Sequence, residues 1–299
     1  MQAPILLPDF MIIGAPKCGT TSLAGWLGLH PKVFLADPKE PAHFSSDINT
    51  VGAIRDEQAY GKLFADALGT HLSGEASTMY LRSRVAVPNI IKARGDTKFI
   101  VCLRNPIEMM PSVHMQLLQG GREAILEPEE AWAARLDRRK DERLPGFCPE
   151  PADLDYEAAC KLGEQVERLL DHAHRDQVHF VFSEDMRQDP RSSYGGVLKF
   201  LGLEDDGRYD FATLNVRKAP RSPRLARLIA TASELRRKAF PSQKLSGLGS
   251  KIAHLNRQSV QPPCAMSGEL RKELAAAFAE DIRLLGHLTD RDLSSWLAL

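Results

Sequence analysis

The run Phe10-Met11-Ile12-Ile13 leads directly into Gly14-Ala15-Pro16-Lys17-Cys18-Gly19-Thr20-Thr21-Ser22-Leu23, and few junctions restrict a chain's topology so tightly. Consecutive apolar residues bounded by glycine predict a strand buried on both faces, as in a parallel sheet. The hydroxyl-rich stretch after Gly19 predicts the start of a helix. A glycine loop between a strand end and a helix N-terminus turns backbone N–H groups and the positive end of a helix dipole toward an anion, so an anion site is expected there.

The rest of the chain repeats the alternation of short apolar runs and longer amphipathic stretches. Strands are predicted at Phe10 to Gly14, Val33 to Leu35, Phe99 to Leu103 and Val178 to Phe182. Helices are predicted at Thr20 to Leu29, Asp56 to Leu68, Arg84 to Ala93, Pro106 to Gln119, Glu129 to Arg139, Asp153 to Ala173 and Ser192 to Leu201. That order describes an α/β fold, a central parallel sheet flanked by helices on both faces. A single domain over 1–299 is expected, with its core at about 8–204, a basic helical cover at about 215–262 and a C-terminal helix at about 267–285, N-capped by Ser267. The cover segment, Asn215 to Pro262, holds eleven Lys or Arg against one acid, Glu234, which suits a lid over an anionic site.

Over the whole chain charge is balanced, 39 Lys plus Arg against 39 Asp plus Glu, which argues against a surface built to track nucleic acid and for a small ligand. The cysteines Cys18, Cys102, Cys148, Cys160 and Cys264 form no C-x-x-C pair. They suit neither a disulfide framework nor zinc, and a reducing compartment is expected. His114, His172, His174 and His179 have no metal-ligand spacing. No basic leader opens the sequence and no apolar run approaches the ~20 residues of a membrane span, so a cytoplasmic location without membrane contact is expected. Oligomeric state is not legible.

Against the nucleoside-triphosphate pattern G-x-x-x-x-G-K-[ST], Gly14, Gly19 and Thr21 are in place, but Thr20 holds the lysine position and the cation sits within the loop as Lys17. The later strand ends in Arg104-Asn105-Pro106, a base where a kinase needs an acid for Mg²⁺. A P-loop nucleotide kinase and a non-catalytic nucleotide-binding module therefore stand as the alternatives to the reading that follows.

Four segments in order resemble sulfotransferases that use 3′-phosphoadenosine 5′-phosphosulfate (PAPS), in the bacterial and heparan-type carbohydrate branch. Pro16 to Leu23 resembles the 5′-phosphosulfate loop, Lys39-Glu40-Pro41-Ala42-His43-Phe44 the Lys-Glu segment, Gly74-Glu75-Ala76-Ser77-Thr78-Met79-Tyr80-Leu81 the G-E-x-S-x-x-Y-L segment, and Arg104-Asn105-Pro106 with Ser112 the 3′-phosphate element. Leu284-Leu285-Gly286 and Asp292 to Trp296 are similar to the ends of bacterial members. The sequence departs from the pattern at Asn105, often Asp, at Met109, often Arg, at Pro111 inside a predicted helix, and at His43, which stands one residue later than usual.

The resemblance implies a P-loop-type fold and a sulfuryl transfer from PAPS to a hydroxyl or amine of a carbohydrate or small natural product, releasing 3′,5′-ADP, with no metal required. It implies Lys17 as stabiliser of the leaving phosphate and Glu40 as general base. Cys18, Gly19, Thr20, Thr21 and Ser22 complete the nucleotide cradle, Cys18 as a small packing residue. Arg104 and Ser112 would take the 3′-phosphate, and Arg257 would lie on a loop closing over the nucleotide. Lys39, His43, Glu75 and Ser77 fall on the acceptor side.

Overall fold

The computed structural model describes residues 6–67, 69, 72–212, 218–220, 257–259 and 266–298. The chain divides into two compact units, one of residues 1–105, 161–215 and 279–298, the other of residues 106–160, 216–278 and 299.

The first unit is built on five parallel strands in the order β2-β3-β1-β4-β5, with β1 Phe10–Gly14, β2 Val33–Leu35, β3 Leu72–Ala76, β4 Lys98–Leu103 and β5 Val178–Phe182. β1 lies at the centre with all five residues buried, as its unbroken apolar run requires. From β1 the chain leaves through α1 (Thr20–Leu27) toward β2, whereas from β3 it crosses through α3 (Ala86–Ala93) to β4 on the other side. Crossovers of one hand running in opposite directions put their helices on opposite faces. On the α1 face, Trp26 and Tyr194 of α10 (Pro190–Leu201) both meet Phe211 edge-on, with ring centroids 5.1 and 5.5 Å apart. On the other, Arg168 of α8 (Leu162–Leu170) donates to the Arg82 carbonyl just before α3, at 3.0 Å. The connections from β1 and β4 diverge, and the crevice between their C-terminal ends is where open α/β sheets bind ligands.

The sheet was predicted without β3. Leu72-Ser73-Gly74-Glu75-Ala76 carries no apolar alternation, yet all but its first residue are buried. The short helices α2 (Glu57–Lys62) and α9 (Ser183–Gln188) complete this unit together with α11 (Gly268–Thr289) from residue 279 onward. One long helix predicted over 153–173 is instead a 3₁₀ turn at Pro151–Leu154, α7 (Tyr156–Cys160) and α8. Asp281 terminates α8 at its N-terminal side by accepting from the N–H groups of Gly163 and Glu164, both at 2.9 Å.

The second unit contains α4 (Pro106–Gln119), α5 (Pro128–Ala133), α6 (Arg135–Arg138), α7 and the start of α11, whose N-cap is Ser267, accepting from Leu270 N at 3.1 Å. Its core holds a fully buried ion pair, Glu123 with Arg138 at 2.7 Å, joined by the Tyr156 hydroxyl at 2.6 Å. β6 (Lys218–Pro220) and β7 (Arg257–Ser259) pair antiparallel. The predicted basic cover lies outside the described residues apart from these two strands.

Candidate active site

The loop after β1 is turned over β4, with Ala15 N donating to the Cys102 carbonyl at 2.6 Å and Cys18 N to the Ala15 carbonyl at 3.2 Å. Lys17 takes φ +66° and its side chain is exposed; Gly19, at φ +93°, is the N-cap of α1. Glycine has no side-chain oxygen, and no side chain caps this helix, so its first N–H groups face the loop. Thr20 and Ser22 are buried and Thr21 is half-buried. Cys18 is buried with its Sγ donating to the Pro16 carbonyl at 3.5 Å. Burial pushes its thiol up to about 12, against the opposing pull of Arg104. It is a packing residue, not a thiolate nucleophile.

A Cβ at Gly19 would stand 2.2 Å from the Met186 methyl, an adaptable neighbour, but the positive φ is fixed by the loop itself. Gly19→Ala is therefore expected to lower stability by about 1–2 kcal/mol, and urea unfolding in a Met186→Ala background checks the cause. The loss persists there if backbone strain is responsible and disappears if the methyl contact is.

Arg104, 8% exposed at the end of β4, reaches back so that its Nη1 donates to the Lys17 carbonyl at 3.3 Å. The loop after β1 and the strand-end arginine thus share one crevice. Next to it Asn105 donates through Nδ2 to the Trp296 carbonyl at 3.2 Å, a bond that an ionised aspartate could not make. Trp296 in turn donates from its indole to Glu184 at 3.0 Å. The closing segment of the sequence therefore fastens the strand end that carries Arg104.

On the other side of β1, the segment following β2 runs along β3, with Ala36 N donating to Gly74 O and Glu40 N to Ala76 O, both at 2.9 Å. This sets the Glu40 carboxylate at the end of β3. Oε1 accepts from Lys39 Nζ at 2.5 Å, and Oε2 accepts from Thr78 N at 2.8 Å and Thr78 Oγ1 at 3.0 Å. The Glu40 side chain is 34% exposed.

Glu40 and Ala42 both adopt positive φ, +65° and +50°, which a non-glycine chain keeps only under several restraints. Arg55 supplies four: Nη1 donates to the carbonyls of Ala42 at 2.6 Å and His43 at 3.0 Å, and Nη2 to those of Ser45 and Ile48 at 2.9 Å. Sequence reasoning missed Arg55, because a guanidinium bound to main-chain carbonyls leaves no motif. His43 is stacked on Tyr60, centroids 4.3 Å apart, with Nδ1 at 2.8 Å from the Ile54 carbonyl.

Glu75 is 1% exposed and faces inward. Its Oε1 accepts from the Tyr60 hydroxyl at 3.0 Å and Oε2 from Ser77 Oγ at 2.7 Å, with the Tyr80 hydroxyl also bonded to it. Ser77 is likewise buried.

In the second unit, Ser112 donates to the Glu108 carbonyl of its own helix at 3.2 Å and is half-buried; the helix runs on through Pro111. Arg257 belongs to β7, and its side chain is outside the described residues. Among the described residues no cluster of His, Cys, Asp or Glu could hold a metal ion, and no helix is long and apolar enough to cross a membrane.

The family model of the sulfotransferase domain matches residues 7–261. The chain is 24% identical over 289 residues to the bifunctional heparan sulfate N-deacetylase/N-sulfotransferase 1 of Caenorhabditis briggsae, covering 92% of this chain and 29% of that protein. It is 29% identical over 201 residues to the human heparan sulfate glucosamine 3-O-sulfotransferase 3B1, covering 66% of this chain and 47% of that protein. The chain thus spans less than half the length of either relative. Among solved structures, a sulfotransferase from Alicyclobacillus acidocaldarius superposes with a TM-score of 0.73 at 27% identity, covering 98% of this chain and 100% of that one. A mouse sulfotransferase complexed with PAP shares the fold, with a TM-score of 0.53 at 15% identity over 95% of this chain and 88% of that one.

Proposed function

The chain belongs to the sulfotransferase domain family, and from that premise we propose that it moves a sulfuryl group from PAPS to a hydroxyl or amine of a carbohydrate acceptor. The observation that carries this reading is the hydrogen bond from Arg104 to the Lys17 carbonyl. It joins two cationic residues from neighbouring strand ends in one crevice, beside the end of β3 where Glu40 is held. A bisphosphorylated nucleotide suits that pair: the uncapped N-terminus of α1 and Lys17 for the 5′ end, Arg104 for the 3′-phosphate. The named acceptor of the curated relatives, heparan sulfate, supports a carbohydrate.

In this reading the sulfur–oxygen bond to the 5′-phosphate breaks as a bond to the acceptor oxygen or nitrogen forms, and the acceptor's proton passes to Glu40. Lys17 offsets the charge left on the phosphate, where a positioned cation acts on the transition state more than on the ground state. Lys39 keeps the Glu40 carboxylate oriented until the acceptor arrives. Thr20, Thr21 and Ser22 supply hydroxyls to the cradle.

Nucleotide preference tests this directly. At about 100 times its Kd, 3′,5′-ADP is expected to stabilise the chain by about 2.7 kcal/mol, a rise of several degrees in Tm, whereas ATP with Mg²⁺ gives none. Arg104→Ala should weaken 3′,5′-ADP by about 10- to 100-fold and 5′-AMP far less, because only the former offers a 3′-phosphate to the guanidinium. A larger shift with ATP and Mg²⁺ would point to a kinase, and equal losses in Arg104→Ala would remove Arg104 from the 3′-phosphate.

A further inference from the structure

The turn that presents Glu40 is fixed from below by three hydroxyls gathered on one carboxylate. A hydroxyl has a single proton to donate. Ser77 gives its proton to Glu75 Oε2 at 2.7 Å, so the oxygen is left to accept, and Ala42 N donates to it at 2.9 Å. The Tyr80 hydroxyl also lies against the Glu75 carboxylate, which draws on its proton, and it accepts from Phe44 N at 3.3 Å. Tyr60 completes the set at Oε1 and carries the His43 ring on its face. The two main-chain N–H groups bound this way belong to the residues that follow Glu40, one of them in the left-handed conformation.

We propose that Glu75 is a positioning residue for Glu40: its carboxylate orients the Ser77 and Tyr80 hydroxyls so that they accept the N–H groups of Ala42 and Phe44, holding the turn that aims the base. The proposal rests on the reading of Glu40 as base for its functional consequence, not for its geometry. It gives Glu75 a task that needs no contact with acceptor, in keeping with its burial. Only an ionised carboxylate accepts from all three hydroxyls. Once protonated, Glu75 must donate to one of them; where that partner is Ser77 or Tyr80, the hydroxyl's own proton loses its acceptor on Glu75 and nothing then holds its oxygen toward the incoming N–H.

Burial pushes the Glu75 carboxyl up to about 7 in spite of its three donors, and the charge of Glu40 acts in the same direction. The titratable groups around it are Tyr60 from α2, Tyr80 beyond β3, and Lys39, Glu40 and His43 from the segment after β2; the strand β1 presents Met11 opposite it. Proton uptake by Glu75 near neutrality would therefore loosen this turn.

Amide hydrogen exchange resolved by two-dimensional NMR on the full chain tests this. Protection of Ala42 and Phe44, corrected for intrinsic rates, should fall about tenfold between pH 8 and pH 6 in the wild type. In Glu75→Gln it should be low and flat across that range, with 3′,5′-ADP affinity unchanged. Wild-type protection in Glu75→Gln overturns the proposal, and so does a pH dependence that survives the substitution. If Glu75→Gln fails to fold, the wild-type pH series and Ser77→Ala decide: the latter should expose Ala42 while Phe44 stays protected, and equal protection of both overturns the mechanism. With an unsulfated heparan-backbone oligosaccharide as acceptor, Glu75→Gln should lower kcat and leave KM within about twofold, the mark of a residue acting through the base. Undiminished turnover in Glu40→Gln would remove Glu40 as base yet leave the exchange result standing.

Discussion

Glu40→Gln should retain wild-type affinity for 3′,5′-ADP while kcat falls by about 10²- to 10⁴-fold, the usual contribution of a positioned general base. The substitution is close to isosteric, and most of what fixes the side chain survives it. The amide oxygen can accept both Thr78 donors, and the backbone bond from residue 40 to Ala76 does not involve the side chain. What is lost is basicity and the ion pair with Lys39, itself about one-third exposed on each side and worth about 1 kcal/mol or less. A fall in turnover can then be ascribed to the missing proton acceptor and not to a collapsed loop. The measurement is steady-state turnover with the heparan-backbone oligosaccharide alongside calorimetric titration with 3′,5′-ADP. Turnover at the wild-type level would leave the acceptor's proton to some other group.

The parts of this site that were legible in the sequence are those made by neighbours along the chain. The strand, glycine loop and helix start from Phe10 to Leu27 appear where the apolar run and the glycines put them, and α4 begins and ends at the predicted residues. Missing were the parts made by distant residues. β3 carries no strand signal because Ser73, Gly74 and Glu75 break its apolar pattern; Glu75 is tolerated inside because hydroxyls from positions 60, 77 and 80 gather around it. Arg55 satisfies carbonyls up to thirteen positions away. Asp281 caps a helix more than a hundred residues earlier and splits what periodicity alone describes as one long helix. Buried polar groups are decided by their partners, and partners supplied by other elements leave no local pattern.

Lys17→Met should slow the chemical step, read as single-turnover rate with PAPS and the oligosaccharide, by about 10²- to 10³-fold, with the Kd for 3′,5′-ADP rising by less. Methionine keeps the aliphatic stem and removes only the ammonium, and the backbone carbonyl at this position remains available to Arg104. If the cation acts mainly on charge that develops on the leaving phosphate, rate must fall further than ground-state affinity; equal losses would make Lys17 a nucleotide anchor and nothing more. The same carbonyl couples the two cations. Arg104→Ala removes a 3′-phosphate donor and also releases the loop that aims Lys17, so part of its effect on rate is exerted through Lys17. The double variant Lys17→Met with Arg104→Ala is therefore expected to lose less than the product of the two single losses. Strict multiplication of the two would mean that the hydrogen bond between Arg104 and Lys17 carries no mechanical coupling, and that each strand end grips its half of the nucleotide independently.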